Sequence, residues 1–286
     1  LLLPAKLATA GYATRLRAEL AERTALAVLA DLGHDPSAAF AATAYPAALV
    51  ATRTSPPPGQ LVSLELEPSG GPRLPQGALA GGGPWVLASP PLLDALAELR
   101  GEHPLLGARF TPQLGIKTGA NALFLDPPDA LEPALLRSAL RGRDLAPFRW
   151  TATTPLFFPH DDQGAPLARL PAAAARYVRA HEALLRARVD YGGGPVWTLF
   201  RVKPALAEHR VVWADLARQL NAAALTGAAG RGLLPLNSCY LLPVASRAAA
   251  LTLAAWLNCT WIRAAARAVA DTAAGGFARF NARTIA

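Results

Sequence analysis

The fold class follows from residues 1–32, which read LLLPAKLATAGYATRLRAELAERTALAVLADL. The apolar run Leu1–Leu3 predicts a short buried strand. A helix is predicted over residues 9–23, where apolar side chains recur every four residues, and Leu26–Leu32 predicts a second strand. Because strand, helix and strand follow one another with short links, the pattern indicates a layered α/β sheet, with Ala47–Thr52 as a third strand.

A proline- and glycine-rich stretch interrupts this pattern over residues 54–84. It contains one short alternating strand at Leu61–Leu66, so we predict a linker that carries a hairpin arm. Residues 85–286 mix strand patterns with helical ones, such as the long helix expected over Pro171–Arg188. We therefore predict three parts: an α/β portion over 1–53, the linker, and an α+β domain over 85–286.

The charge of the chain favours an anionic partner. It has 28 lysine and arginine residues, of which 25 are arginine, against 20 acidic residues, and its net charge is +8. Because arginine binds phosphate through two hydrogen bonds and stacks on bases, a nucleic acid is a candidate partner. An arginine-rich, lysine-poor composition is also what a GC-rich genome produces. For the basic helix face formed by Arg176, Arg179 and Arg186, a solvated surface is the favoured interpretation.

Other function classes receive little support from the sequence. No apolar run reaches about 18 residues, so we expect no membrane helix. Cys239 and Cys259 are too few for a disulfide framework or a zinc site, which favours free thiols in a cytoplasmic protein. The five histidines are scattered, and we expect no metal site. The chain contains no methionine, so we expect it to be the back part of a longer protein.

Three segments near the start share the sequence order of a known enzyme family. They are Leu1–Lys6, which ends in a proline after an apolar strand, the helix Tyr12–Leu20, and Phe40–Val50, where an aromatic residue precedes an apolar strand. The order resembles the C-terminal portion of the catalytic domain in class I adenine-N6 DNA methyltransferases of the TaqI-like group, which serve restriction–modification systems.

The second half resembles the target-recognition domain of the same enzymes. Gly115–Asn121 reads GIKTGAN and Leu140–Leu145 reads LRGRDL. The similarity continues through three further segments, Asn237–Tyr240, Trp256–Asn258 and Gly275–Phe280. The resemblance implies the α/β C-terminal tail of a Rossmann-like methyltransferase domain, followed by an α+β target-recognition domain.

The implied activity is site-specific methyl transfer from S-adenosyl-L-methionine to adenine N6 in double-stranded DNA. The family's cofactor loop and its Asn-Pro-Pro-Tyr motif are not found in this sequence. Asp126–Asp129 reads DPPD and lacks the aromatic residue, so we assign no catalytic residue to this chain. The implied protein is thus a fragment that carries target recognition. A stand-alone, non-catalytic DNA-binding specificity protein is the alternative, and a basic domain without a nucleic-acid role is a third possibility.

The resemblance also implies site residues. Phe40 occupies the position of the aromatic side chain that stacks on the flipped adenine; the alternative is that it covers a sheet edge. Since phosphate and sugar take most protein–DNA hydrogen bonds, each arginine is expected to position the DNA backbone more than to read bases. Asp144 is expected to cap a turn or pair with an arginine. Four tryptophans are expected to lie in the core: Trp197, Trp213, Trp256 and Trp261. The expected DNA-binding residues are Lys117, Thr118, Gly119, Asn121, Arg141, Arg143, Arg201, Arg279 and Arg283.

Overall fold

The chain forms two compact units. A computed structural model describes residues 1–32, 45–65 and 71–285. The first unit comprises Leu1–Pro104 and Ala264–Arg279, and the second comprises Leu105–Arg263 and Phe280–Ala286. The first unit therefore includes the stretch 54–84, for which the sequence predicts a linker.

The helices and strands are mostly short. The helices are α1 (Thr14–Arg23), α2 (Pro90–Arg100), α3 (Asn121–Phe124), α4 (Ala172–Ala180), α5 (Glu182–Arg186), α6 (Val202–Ala205), α7 (Gly227–Arg231), α8 (Arg247–Asn258), α9 (Thr260–Val269) and α10 (Ala282–Ile285). The strands are β1 (Leu2–Pro4), β2 (Ala25–Asp31), β3 (Pro46–Thr52), β4 (Leu61–Glu65), β5 (Arg73–Pro75), β6 (Gln113–Leu114), β7 (Leu136–Leu140), β8 (Leu145–Ala146), β9 (Arg149–Trp150), β10 (Thr154–Phe157), β11 (Arg210–Ala214), β12 (Leu216–Ala217), β13 (Ala222–Leu225), β14 (Leu233–Pro235), β15 (Cys239–Pro243), β16 (Asp271–Ala273) and β17 (Phe277–Arg279).

The first unit is built on a five-stranded sheet with the order β1-β3-β2-β4-β5. Only β2 and β4 pair in parallel; the other neighbours are antiparallel. Val62 and Leu64 of β4 and Leu74 of β5 are buried with Leu26 and Leu29 of β2 in one apolar core. The stretch predicted as a linker thus supplies two strands to this sheet, because its alternating apolar side chains fill the core.

Helix α1 is fixed to this unit by a buried arginine. The Arg17 side chain is 1% exposed, and it donates hydrogen bonds to the carbonyl oxygens of Leu7, Ala10 and Gly82 at 2.8 Å. A buried guanidinium that satisfies several otherwise unpaired carbonyls holds chain segments together through charge-assisted hydrogen bonds. Arg17 therefore serves the fold and is not available to an anionic partner.

The second unit contains a three-stranded sheet of order β10-β7-β14, a four-stranded sheet of order β13-β11-β15-β6 and the two-stranded pair β8-β9. In the first sheet β14 runs parallel to β7, and β10 runs antiparallel to it. The largest apolar core of this unit lies around Phe124, Phe157 and Phe158, with Ile116 and Leu156 completely buried beside them. The rings of Phe124 and Phe157 stack with their centroids 5.8 Å apart.

Two expectations differ from the structure in this unit. The helix predicted over Pro171–Arg188 is divided into α4 and α5 at His181, whose φ of −118° is not helical. Trp213 is buried as expected, but Trp256 and Trp261 are 42% and 61% exposed. Trp256 lies outside the buried face of α8, which consists of Ala250, Ala254, Leu257 and Asn258. None of the helices in the described part of the chain has both the length and the apolar character to cross a bilayer.

Candidate nucleic-acid interface

Three of the sequence motifs meet at one edge of the sheet that contains β7 and β14. These two strands are parallel, with Pro235 opposite Leu140, and Ile116 forms a parallel bridge to Leu236 on the other side. Hydrogen bonds continue this ladder: Ile116 N–H donates to the Pro235 carbonyl oxygen at 2.8 Å, and Leu236 N–H donates to the Leu140 carbonyl oxygen at 2.9 Å.

The residues that follow these three strand ends therefore leave the sheet at the same side. They are Lys117, Asn237 and Arg141, and we call them the carboxyl-edge cluster. Neighbouring strands lie about 4.8 Å apart, so the three backbones leave the sheet within roughly 10 Å of one another. The carboxyl edge of parallel strands is a frequent place for ligand sites. Nothing in the spacing of these residues along the chain predicts this proximity.

Glycines allow the close approach of these segments. A Cβ atom on Gly115 would lie 2.3 Å from the Leu236 carbonyl oxygen, and one on Gly142 would lie 2.4 Å from the Ser238 carbonyl oxygen. Gly142 N–H also donates to Ser238 Oγ at 2.9 Å. In the described structure, both glycines thus serve close backbone packing between motifs.

The loop after Lys117 is held by hydrogen bonds inside the protein. The Thr118 side chain is 1% exposed, and its hydroxyl donates to Asn121 Oδ1 at 2.6 Å. Gly119 has a φ of +68°, which favours glycine. Lys117 Nζ lies 2.5 Å from Asp190 Oδ2, with both side chains about one-third exposed. The Thr118 hydroxyl therefore shapes this loop and is not open to DNA, while Asn121 is exposed.

A buried arginine that sequence reasoning missed supports the same loop. Arg188 is 6% exposed and lies against the rings of Phe124 and Phe200, at 5.5 and 4.9 Å from their centroids. Its guanidinium donates to the carbonyl oxygens of Thr118 at 2.7 Å and Val196 at 2.7 Å, and also to those of Leu185 and Thr198. Burial lowers the pKa of Arg188 from its usual value. Its position two residues after the exposed Arg186 gives no sequence signal of this role.

The LRGRDL motif places two arginines in different environments. The Arg141 side chain is 22% exposed, its Nη2 lies 3.4 Å from Asp126 Oδ2, and its buried Nε has no hydrogen-bond partner among the described residues. The Arg143 side chain is 73% exposed, and its Nε lies 3.9 Å from Asp144 Oδ1. This contact agrees with the arginine pairing expected for Asp144. Arg143 is thus open to solvent, whereas Arg141 is partly enclosed.

Of the remaining expected site residues, only Arg201 lies close to the carboxyl-edge cluster within the described part of the chain. Arg201 is exposed with a φ of +61° and follows Phe200, which pairs with Lys117 through two backbone hydrogen bonds of 2.9 and 3.0 Å. Arg279 is exposed on β17 in the first unit, and Arg283 is exposed on α10 in the second. Phe40 lies outside the described residues. Three of the expected residues, Lys117, Arg141 and Arg201, are thus brought to one region by backbone pairing, with Arg143 two residues after Arg141.

Basic charge is concentrated in the second unit. It contains 19 lysine and arginine residues and 10 aspartate and glutamate residues, a formal net charge of +9. The first unit contains 9 basic and 10 acidic residues, a net charge of −1. A genome-wide codon bias would act on both units alike, so the asymmetry favours a functional cause for the positive charge.

Comparisons with known proteins show a likeness of fold. Comparing the sequence with protein-family models and with curated proteins finds no match. The solved structure of the type IIL restriction-modification enzyme MmeI in complex with DNA is similar, with a TM-score of 0.52 and 9% identity over 86% of this chain. A type IIG restriction endonuclease, BpuSI, has a TM-score of 0.44 and 11% identity over 99% of this chain, which is 39% of its own.

The match with MmeI covers 33% of the MmeI chain, so this chain spans about a third of that enzyme's length. It thus has a mixed α/β structure with several small sheets, similar to part of a restriction-modification enzyme. Within residues 1–32, 45–65 and 71–285, no three His, Cys, Asp or Glu side chains cluster in a way that could hold a metal ion.

Proposed function

We propose that this chain is the target-recognition portion of a restriction–modification DNA methyltransferase, and that its second unit binds double-stranded DNA. The observation that carries the proposal is the carboxyl-edge cluster, in which three parallel strand ends deliver Lys117, Arg141 and Asn237 to one place in a unit of net charge +9. Lysine and arginine bind phosphate, and asparagine and arginine can also read base edges in the major groove.

The likeness to an enzyme solved with DNA supports the same class of function. In a DNA duplex one negative charge occurs per about 1.7 Å of axis, so a basic surface gains affinity by releasing counterions. The exposed Arg143 and the partly enclosed Arg141, whose Nε lacks a partner among the described residues, supply donors of the type that bind phosphate.

Adenine-N6 methylation is the finer part of the proposal, and it rests on the resemblance of the sequence motifs. The proposal keeps Phe40 as the side chain that stacks on the flipped adenine. S-adenosyl-L-methionine is the methyl donor of the parent reaction. The small cavity of the first unit does not fit it, because this cavity is lined by apolar side chains such as Leu3, Leu29 and Trp85, with no acidic group to bind the ammonium or ribose of the cofactor. We assign no step of the transfer to this chain's described residues.

A salt titration of DNA binding tests the proposal. With a 30-base-pair duplex of mixed sequence, the logarithm of the binding constant should fall linearly with the logarithm of salt concentration, by about 0.9 for each phosphate neutralised. Lys117→Ala combined with Arg141→Ala should weaken binding by at least about tenfold and reduce that slope by about 2. Arg53→Ala, which removes an exposed positive charge from the first unit, serves as the matched control and should change affinity by less than about twofold.

A binding constant that does not depend on salt, or equal losses for the double variant and for Arg53→Ala, would contradict DNA binding by the second unit. The methylation part has a separate test. Disrupting the gene in its native genome should erase N6-methyladenine at one short sequence, read by single-molecule sequencing. DNA binding together with unchanged methylation would favour the stand-alone specificity protein.

A further inference from the structure

An exposed hairpin follows the LRGRDL motif directly. Strands β8 and β9 pair with Leu145 opposite Trp150 and Ala146 opposite Arg149, so that the loop between them consists of Pro147 and Phe148 alone. Leu145 is buried and Trp150 packs against the same apolar cluster. The base of the hairpin is thus anchored in the core of the second unit, and its two-residue tip is exposed.

The aromatic ring at this tip is in an unusual place. Phe148 is 61% exposed, although a large apolar side chain ordinarily gains free energy by burial. Its φ is +65°, in the left-handed region that glycine and asparagine adopt readily and that bulky residues avoid. A proline followed by a residue of positive φ is typical of a type II turn, which usually has glycine at the second position.

The surrounding structure holds Phe148 in this conformation. Its N–H donates a 2.8 Å hydrogen bond to the carbonyl oxygen of Ala222 in β13, and Thr151 N–H donates to the Asp144 carbonyl oxygen at 2.8 Å beyond the base of the hairpin. A strained residue that the fold enforces, and that stability alone would replace, indicates a functional requirement for its side chain.

Two exposed arginines lie close to the tip in the sequence and favour an anionic partner. Arg149 follows Phe148 and is exposed, and Arg143 lies two residues before the hairpin with a 73% exposed side chain. Within the described part of the chain, Arg149 makes no ion pair. An exposed apolar ring with one exposed arginine next to it in the sequence and another five residues before it, in a unit of net charge +9, matches a polyanion with flat apolar faces between its phosphates.

We propose that Phe148 is a wedge that inserts into the base stack of double-stranded DNA while Arg143 and Arg149 hold the flanking phosphates. The inference rests on the proposed DNA-binding function and adds to it a distortion of the duplex. An inserted apolar side chain partly unstacks one base step and bends the helix. Because hydrogen bonds already fix the backbone at Phe148 and its ring is exposed, insertion requires little rearrangement of the protein backbone.

The experiment uses two 30-base-pair duplexes of one mixed sequence, one intact and one with a single abasic site at its centre. Because the abasic site removes most of the unstacking cost, the wild-type chain should bind it at least about tenfold more tightly than the intact duplex. Asparagine tolerates the same backbone conformation but lacks the ring. Phe148→Asn should therefore reduce the ratio of the two affinities, abasic duplex over intact duplex, to about 1. Phe148→Trp should retain the ratio, since indole stacks on bases as well.

Leu184→Asn is the matched control, because Leu184 is a 63% exposed apolar residue of the same unit on α5; its ratio should equal that of the wild type. The proposal is overturned if the wild type and Phe148→Asn bind DNA with the expected salt dependence but have the same ratio, and DNA binding by this chain then still stands. If neither duplex is bound by the wild-type chain at low salt, the proposed function itself fails.

Discussion

Replacing Arg188 by methionine tests the claim that one buried side chain holds the loop of the carboxyl-edge cluster in place. Its guanidinium donates four hydrogen bonds to carbonyl oxygens, at 2.7 to 2.9 Å, from a site that is 6% exposed. Methionine has a similar length and retains apolar contacts with Phe124 and Phe200, but it leaves all four carbonyl oxygens without this donor.

The expected loss is about 4 kcal/mol in the free energy of unfolding of the second unit, at about 1 kcal/mol for each hydrogen bond removed. Arg186→Met is the matched control. It removes an arginine two residues away whose exposed guanidinium pairs with Glu182 at 2.6 Å. An exposed pair of this type on a helix contributes about 0.3–0.5 kcal/mol.

The measurement is hydrogen exchange by mass spectrometry in a urea series, followed on peptides of the second unit. Local readout is needed because a chain of two units need not unfold in a single step. We also expect the peptide containing Thr118 to exchange faster in Arg188→Met without urea, since its carbonyl loses the anchor. If the free energies of unfolding of Arg188→Met and Arg186→Met differ by less than about 1 kcal/mol, the structural role assigned to Arg188 is wrong.

Three further predictions concern other positions. Gly142→Ala should cost roughly 3 kcal/mol, because its new Cβ would lie 2.4 Å from a backbone carbonyl oxygen. His160 is buried, its Nε2 accepts the Leu199 N–H, and burial lowers its pKa from 6.5 to about 4. As the pH falls, the unfolded chain therefore takes up a proton on His160 before the folded chain does. The free energy of unfolding of the second unit should be highest above pH 6.5 and should decrease by about 3 kcal/mol as the pH drops to about 4. Phe148→Asn should raise the free energy of unfolding by about 1 kcal/mol, since asparagine tolerates positive φ.

Controls for these predictions follow from the same structure. Gly192→Ala, whose Cβ would meet no atom within 4 Å, should be close to neutral in urea unfolding. His160→Gln should flatten the pH dependence of stability between pH 6.5 and 4, and an unchanged slope would exclude His160 as its source. For Phe148, the measurement is thermal unfolding of the two variants Phe148→Asn and Phe148→Trp. A lower midpoint temperature for the asparagine variant than for the tryptophan variant would contradict the claim that the backbone at position 148 is strained.

Local patterns in the sequence predicted several elements of the structure. The strand at Leu2–Pro4, the helix Thr14–Arg23 and the strand Ala25–Asp31 occur close to where apolar periodicity placed them. Within residues 54–84, the strand predicted at Leu61–Leu66 is present as β4 (Leu61–Glu65). The second strand, β5, was not predicted, because the glycine- and proline-rich composition around it favours a linker, whereas its apolar Leu74 packs in the core of the first unit.

The candidate site was predictable in its residue types and not in their roles. From the sequence, Lys117, Thr118 and Arg141 were all expected to bind DNA, and nothing distinguished their roles. In the structure Thr118 is buried, Lys117 is paired with Asp190, and the missed Arg188 holds the loop. These differences arise because burial and pairing depend on chain segments some 70 residues apart, which local sequence patterns do not encode.

The sequence by itself determined the net positive charge, the preponderance of arginine and the identity of the motifs, since these are properties of composition and local order. Only the tertiary structure decided that the basic excess belongs to the second unit, that Ile116, Leu140 and Leu236 end side by side, and that Phe148 stands at a strained tip. The physical reason is that parallel strand pairing joins residues far apart in the chain, and that a backbone conformation with positive φ is imposed on Phe148 by hydrogen bonds to a neighbouring strand.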